Sequence, residues 1–318
     1  MITLADARQQ HNKNKVAITR GKNLALERQQ EAMEFKALCH LYLIYADLNK
    51  RSSNADRSKI AKYIDPILGE YRVIGVNEKI IHDYLDHLKH CHLKDSTRNR
   101  HLMLIKAIFN FAIENGFCIS SPVTGFTAFK ENRVPARFLN NLELKKFITS
   151  AGHDVNTEAG TLFIFLAMTG LRIGEAISLM LKDYNPGLAT IFIQSTKSGY
   201  GRVVVLNETA KSIIENQLRK HRTGFVFRGR DGVSAMHRPS KAFARICEAA
   251  GLQDITPHSL RHTFASLSLI NGVSMFEVSR LLGHSSIRTT EQHYSHVTNE
   301  RLAQASQRFD DLVMSKSG

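Results

Sequence analysis

Apolar residues in the first part of the chain recur at intervals of three and four, which is the spacing of one face of an α-helix. This spacing is repeated from about residue 24 to residue 119, with one stripe at 35–45 and another at 80–88. A shorter helical stretch lies near 53–67. Together with a longer helix that follows them, these segments predict a small bundle of four helices with short connections.

The longer helix is predicted to begin at Asp95 or Ser96, because both residue types are good N-caps. It is predicted to end at Gly116, which can adopt the left-handed conformation that follows many helices. The helical pattern then stops at a run of Ser, Pro and Gly, and the next residues are basic and lack periodicity. We therefore interpret 120–138 as a linker between two domains.

The pattern changes again in the second part of the chain. Residues 161–168 are almost wholly apolar, which predicts a helix buried on all sides. Two short alternating runs, 189–194 and 202–206, flank a glycine-containing turn at 198–201 and predict a β-hairpin. The predicted fold class is therefore mainly α (α+β), with a helical N-terminal bundle and a mainly helical second domain that contains a small antiparallel sheet.

The charge of the chain is spread over both predicted domains. The 318 residues carry a net charge of +14. Residues 1–137 hold 22 Lys and Arg against 14 Asp and Glu, and residues 138–318 hold 21 against 15. Because both parts are basic, we expect a polyanionic partner, DNA or RNA, that touches both domains.

Several classes of protein are disfavoured by the sequence. The four cysteines form no Cys-x-x-Cys pair, so they are interpreted as reduced thiols of a cytoplasmic protein. No apolar run is long enough to cross a bilayer, and the polar, basic start does not look like a signal peptide. His90, Cys91 and His92 are adjacent and point in different directions, so no metal site is predicted there.

The second domain contains a set of residues suited to phosphodiester chemistry. Arg172 stands in a turn before a helix, while His258 and Arg261 are three apart and share a helix face. Two guanidinium groups can hold the non-bridging oxygens of a phosphodiester and offset the charge of the transition state. Tyr294 is then a candidate nucleophile that would form a phosphotyrosine, with His258 as its general base.

Three further residues complete this hypothesis. Lys197, at the end of the first predicted strand, is the candidate acid for the departing 5′-oxygen, with Arg202 and Lys211 as nearby alternatives. His284 is a candidate hydrogen-bond donor to the phosphate. Glu175, one helical turn beyond the first arginine, is suited to orienting a catalytic side chain.

Metal-dependent cleavage is disfavoured, because a two-metal nuclease needs clustered carboxylates and those near these motifs are scattered. Neither a metal nor a cofactor is therefore predicted. His262 and His293 lie beside the candidate residues and are interpreted as structural.

Along its whole length the second domain resembles the catalytic domain of the tyrosine recombinase (phage integrase) family. The resemblance is carried by residues 169–175, 258–263, 282–284 and 292–294, together with the hairpin lysine. It implies six catalytic residues, with the tyrosine as nucleophile: Arg172, Lys197, His258, Arg261, His284 and Tyr294.

The resemblance also implies an organisation and partners. Residues 31–119 look like the family's helical core-site DNA-binding domain, and residues 139–318 like its catalytic domain. Residues 1–30, a basic arm, are similar to the last helix of an arm-site-binding domain whose preceding strands are missing here. The expected partners are double-stranded DNA at a specific site, a homotetramer assembled on that DNA, and accessory DNA-bending or directionality proteins. The expected location is cytoplasmic, at the bacterial nucleoid, without a membrane.

Basic residues outside the catalytic set are predicted to contact the DNA backbone. Three belong to the linker and two to the longer helix of the first domain: Lys130, Arg133, Arg137, Arg98 and Arg100.

The leading functional hypothesis is a site-specific recombinase that integrates or excises a mobile element through a 3′-phosphotyrosine, and the basic N-terminal arm favours it. A chromosome-dimer or inversion recombinase is the alternative within the family. A non-catalytic DNA-binding regulator and a type IB topoisomerase are the alternatives from other classes.

Overall fold

The chain divides into two compact units, with the boundary between Arg133 and Val134. The computed structural model describes residues 32–50, 52–131, 136–194, 201–284 and 286–294. The boundary falls inside the predicted linker, 120–138, and the predicted arm at 1–30 lies outside the described residues.

The first unit is helical, as the apolar spacing predicts. Its helices are α1 (Phe35–Asn49), α2 (Ser53–Lys59), α3 (Asp65–Leu68), α4 (Glu78–His90) and α5 (Asp95–Glu114). A π-helical turn, Ile60–Ile64, joins α2 to α3, and a 3-10 turn, Val73–Gly75, precedes α4.

The N-cap of α5 differs from the prediction. Its N-cap is Lys94, so Asp95 is the first helical residue rather than the cap. There the Asp95 carboxylate accepts a hydrogen bond from Arg98 Nη1 at 2.8 Å, which uses the side chain that would otherwise cap the helix. The predicted end is correct, since Gly116 has a φ of +73° just beyond α5.

The first part of the predicted linker belongs to the first unit. Val123 is buried, and Phe126 and Phe129 pack against the same apolar core as the helices. The Asn99 side chain of α5 donates to the Phe129 carbonyl at 3.0 Å and accepts from its N–H at 2.8 Å. It also donates to Glu131 Oε1 at 2.8 Å. Residues 123–131 of the predicted linker thus contact the first unit, through its apolar core and through the buried Asn99 amide.

Within the described residues, the second unit consists of helices and a small sheet. The helices are α6 (Asn141–Gly152), α7 (Thr157–Thr169), α8 (Ile173–Ile177), α9 (Glu208–Lys220), α10 (Ser240–Ala249), α11 (Pro257–Ile270) and α12 (Met275–Leu282). Residues 287–294 are also helical. The strands β1 (Tyr184–Asn185), β2 (Thr190–Ile193) and β3 (Arg202–Val205) form an antiparallel sheet in that order, which confirms the predicted fold class.

Helix α7 forms the centre of the second unit, as its apolar sequence predicts. Its residues Leu162, Phe163, Phe165 and Leu166 are at most 1% exposed. The helix packs against α6, α9, α10 and α11, but it is not buried on all sides as predicted, because Thr161, Ile164 and Met168 form a partly exposed stripe. It ends at Gly170, whose φ of +64° lets the chain turn at once into the next helix.

Among the described residues, no helix combines the length and the apolar character that crossing a bilayer requires.

We predict that Asn99→Ala destabilises the first unit and loosens residues 120–131. The change removes three hydrogen bonds from a side chain that is 7% exposed, which should lower the free energy of unfolding by about 1–3 kcal/mol. Urea unfolding and limited proteolysis measure the two effects. Asn115→Ala, at an exposed site beyond the same helix, is the control and should change neither. Equal behaviour of the two variants would contradict the prediction.

Candidate active site

Arg172 is positioned by the tight connection between α7 and α8. It is the N-cap residue of α8, and Glu175 in the first turn of that helix reaches back to it. The Arg172 N–H donates to Glu175 Oε2 at 3.0 Å, and Arg172 Nη1 donates to Glu175 Oε1 at 3.0 Å. The Arg172 side chain is 45% exposed. Its guanidinium is therefore anchored to Glu175 through Nη1 and is otherwise open to a ligand.

His258 and Arg261 lie in the first turns of α11, which is capped by Thr256. Arg261 is only 3% exposed, and its Nη1 and Nη2 donate to the carbonyls of Gly170 and Leu282, each at 2.8 Å. Burial, and then the charge of Arg172, lowers the pKa of Arg261 to about 10, so the group stays charged at neutral pH. A guanidinium has five N–H donors, and these two bonds leave further ones for an anion.

A cavity of about 860 Å³ brings three of the predicted catalytic residues together. Arg172, His258 and His284 all line it, and Glu175 and Arg238 line it as well. Arg238, which no sequence motif singles out, adds a third guanidinium to the region. The cavity is thus basic and suited to one phosphate group.

The two histidines of the cavity are neutral at pH 7. Burial, followed by the charges of Arg261 and Arg172, lowers the pKa of His258 and lowers that of His284 to about 4. The Nδ1 atom of His284 lies 2.7 Å from Thr290 Oγ1, so its Nε2 atom remains available to the cavity. A neutral His258 can accept a proton, and His284 can donate a hydrogen bond through Nε2–H.

Tyr294 is not among the residues lining this cavity. It is 3% exposed and packs in an apolar cluster with Leu269, Val278 and Leu282. Its hydroxyl lies 2.9 Å from His262 Nδ1. Burial, only partly offset by the Arg261 charge, raises the pKa of Tyr294 to about 12. The candidate nucleophile is therefore buried outside the cavity, and its hydroxyl partner is His262, which the sequence led us to interpret as structural.

Arg202 has a place that sequence reasoning did not identify. The sequence suggests it only as an alternative to Lys197, whereas both of its terminal nitrogens donate to the Glu175 carboxylate, at 2.9 and 2.8 Å. Lys211, the other alternative, lies 3.7 Å from Glu208. Lys197 itself, with residues 195–200, lies outside the described residues. A basic residue at a strand start gives no sequence signal for a partner 27 positions away.

Burial acts to raise the pKa of Glu175. The hydrogen bonds and charges of the two arginines outweigh this effect and hold the pKa at about 2. The carboxylate is therefore ionised throughout the physiological range. It provides a fixed negative charge among positive groups and keeps both arginines in one orientation.

The basic residues predicted to contact DNA differ in their exposure and in their partners. Lys130 and Arg100 are exposed and remain candidates. Arg98 does not support the prediction, because it is 5% exposed and donates from Nε to the Leu85 carbonyl at 3.1 Å. Arg137 is exposed but paired with Glu143 at 2.6 Å, and Arg133 lies outside the described residues.

The described residues contain no group of three or more His, Cys, Asp or Glu side chains that could hold a metal ion.

Comparison with known proteins gives consistent matches. The model of the phage integrase family matches residues 137–301, just over half of the chain. A tyrosine recombinase XerD of Listeria monocytogenes is 30% identical over 226 residues, covering 66% of this chain and 74% of that protein. The ICEBs1 integrase of Bacillus subtilis is 23% identical over 314 residues, covering 90% and 85%. The Tn1549 transposon integrase, solved with a circular intermediate DNA, shares the fold with a TM-score of 0.69 at 20% identity, covering 85% of this chain and 99% of that one.

We predict that Glu175 makes stability depend on acid pH. Its pKa is about 2 in the folded protein against 4.5 for the free side chain, so its contribution is present above pH 4.5 and is lost as the pH falls towards 2. Between pH 6 and pH 3 the free energy of unfolding should fall by about 2 kcal/mol more in the wild type than in Glu175→Gln. Denaturant unfolding at several pH values measures the difference, and parallel curves would contradict it.

We predict that His262 and Tyr294 stabilise each other. A double-mutant cycle of His262→Ala and Tyr294→Phe, measured by denaturant unfolding, should give a coupling energy of about 1 kcal/mol, because the single mutants leave a buried polar group unpaired. Strictly additive effects would show that the hydrogen bond does not hold the tyrosine in this position.

Proposed function

Since the chain belongs to the phage integrase family of tyrosine recombinases, we propose that it is a site-specific DNA recombinase that cuts and rejoins DNA through a 3′-phosphotyrosine at Tyr294. The observation that carries the proposal is the meeting of Arg172, His258 and His284 in one basic cavity, with Arg261 beside it. A single phosphodiester is the ligand that this set of charges and donors suits best.

In the proposed reaction the scissile phosphate occupies the cavity. Arg172 and Arg261 hold its non-bridging oxygens, and His284 donates a further hydrogen bond. The Tyr294 hydroxyl oxygen attacks phosphorus, its proton passes to His258, and the bond between phosphorus and the 5′-oxygen breaks. Lys197 protonates the departing oxygen. The phosphotyrosine conserves the bond energy, so rejoining by the reverse reaction requires neither a metal nor a nucleotide.

Attack requires Tyr294 to leave its buried position. With a pKa of about 12, forming the phenolate where it lies would cost about 7 kcal/mol at pH 7. Moving the hydroxyl from His262 to the cavity would place it beside Arg172 and His258, which offset part of that cost. We therefore propose that this movement accompanies binding of DNA, and that the Tyr294 hydroxyl stays bonded to His262 in the protein without DNA.

The biological role that we propose is integration or excision of a mobile element. Similarity to the ICEBs1 integrase over 90% of this chain, and to the fold of a transposon integrase, supports it. Similarity to a tyrosine recombinase XerD keeps a chromosome-dimer or inversion recombinase as the alternative. A DNA-binding regulator without catalysis is the second alternative, to which the filled set of catalytic positions gives no support.

The proposed partner is double-stranded DNA at a specific site. The net charge of +14 and the exposed side chains of Lys130 and Arg100 support contacts with its backbone. Recombination of two duplexes breaks four strands, and each protomer supplies one tyrosine, so the proposed assembly is a homotetramer on DNA. Accessory bending or directionality proteins remain part of the proposal.

We predict that the wild-type protein forms covalent adducts with DNA and that Tyr294→Phe does not. The purified proteins are incubated with genomic DNA of the organism that carries them, denatured, and the protein-linked DNA ends are sequenced. Tyr184→Phe is the control, because it removes the hydroxyl of another buried tyrosine of the same unit, one bonded to Glu215. It should form adducts at the wild-type rate.

Discrete ends with wild type and Tyr184→Phe alone are the expected result, and they would also reveal the target sequence. Scattered ends would favour a topoisomerase. Site-specific binding without adducts would favour the regulator.

A further inference from the structure

The Arg202 guanidinium occupies an enclosed position next to the candidate active site. Arg202 is the first residue of β3, where it pairs with Ile193 of β2. Its side chain is 14% exposed, and that of its partner Glu175 is 11% exposed. Arg202 is not one of the residues that line the cavity, but its neighbours Glu175 and Gly283 are.

The Glu175 carboxylate joins Arg202 to Arg172. Its Oε1 atom accepts from Nη1 of Arg202 at 2.9 Å and from Nη1 of Arg172 at 3.0 Å. Its Oε2 atom accepts from Nη2 of Arg202 at 2.8 Å and from the Arg172 backbone N–H at 3.0 Å. Each oxygen therefore serves both arginines, and a rotation of the carboxylate would disturb Arg172 in its backbone and in its side chain.

Arg202 also lies directly on the turn that carries His284. Gly283, the residue before it, has a φ of +67°, and a Cβ added there would lie 2.1 Å from Arg202 Nε. That Nε is buried and has no hydrogen-bond acceptor among the described residues. The guanidinium is thus oriented by Glu175 on one side and by the glycine backbone on the other.

From this geometry we propose that Arg202 is a positioning residue: it fixes Arg172 through Glu175 and fixes the turn before His284 through Gly283. The proposal rests on the recombinase function proposed above. It assigns β3 a part in the reaction that does not involve contact with DNA. Only an arginine fits this place, since a planar fork meets both carboxylate oxygens at once, whereas a lysine offers a single point charge.

The test compares Arg202→Lys with Arg245→Lys. Arg245 binds Asp154 through Nε and Nη2 at 3.1 and 2.8 Å, so the control removes a similar two-bond pair in the same unit. Binding and single-turnover adduct formation are measured on the DNA site recovered from the adduct experiment. Arg202→Lys should bind DNA within about twofold of wild type but form the adduct about 10²-fold more slowly, as expected for misplaced catalytic groups. Arg245→Lys should match wild type in both.

Two further readouts separate positioning from other roles. The wild-type rate should not depend on Glu175 between pH 5 and 7, because its pKa is about 2. In Arg202→Lys that pKa rises, and the rate should acquire a new fall towards acid pH. In a substrate with a 5′-bridging sulfur, the leaving thiolate needs no proton. Because a positioning residue does not act on the leaving group, this substrate should not restore the Arg202→Lys rate. Restoration would show that Arg202 acts on the leaving group and would overturn the proposal.

A measurement on the free protein keeps the two proposals distinguishable. The ¹³C resonance of the Glu175 carboxyl group, identified with Glu175→Gln, should titrate at clearly higher pH in Arg202→Lys than in wild type. If wild type forms no adduct, the recombinase proposal fails while this titration still decides whether Arg202 holds Glu175. An unchanged titration, or a wild-type adduct rate in Arg202→Lys, would overturn the positioning role.

Discussion

One largely enclosed carboxylate organises the positive charges of the candidate active site. Glu175 accepts four hydrogen bonds, two from Arg172 and two from Arg202, and its pKa of about 2 keeps it ionised. Guanidinium groups placed close together repel one another, and a shared anion offsets that repulsion while fixing their directions. Orientation achieved before the substrate arrives is what makes such groups effective in a transition state.

Arg261 is held in a different way. Its guanidinium is bound by the carbonyls of Gly170 and Leu282, which end α7 and α12. Carbonyls at helix C-termini carry partial negative charge and suit a cation. The positions of both predicted arginines therefore depend on where two helices end, and the left-handed glycines at Gly170 and Gly283 set those ends. This explains why a compact cavity forms from residues that are far apart in the chain.

Tyr294 shows the opposite arrangement. Its ring contributes to an apolar cluster and its hydroxyl to a hydrogen bond with His262, so the same side chain serves the packing of the free protein and, in our proposal, the chemistry on DNA. A nucleophile kept in a core is protected from water and from premature reaction. In the proposed mechanism, contacts with DNA drive its release.

The sequence alone determined the elements whose signals are local. The apolar α7 and the hairpin strands follow from periodicity, and the candidate catalytic set follows from its motifs. Only the tertiary structure decided the rest. Asn99 holding Phe129, Arg202 holding Glu175, and His262 holding Tyr294 join positions 27 to 32 residues apart. Such pairings depend on which faces the packed helices bring together, and no local pattern encodes them.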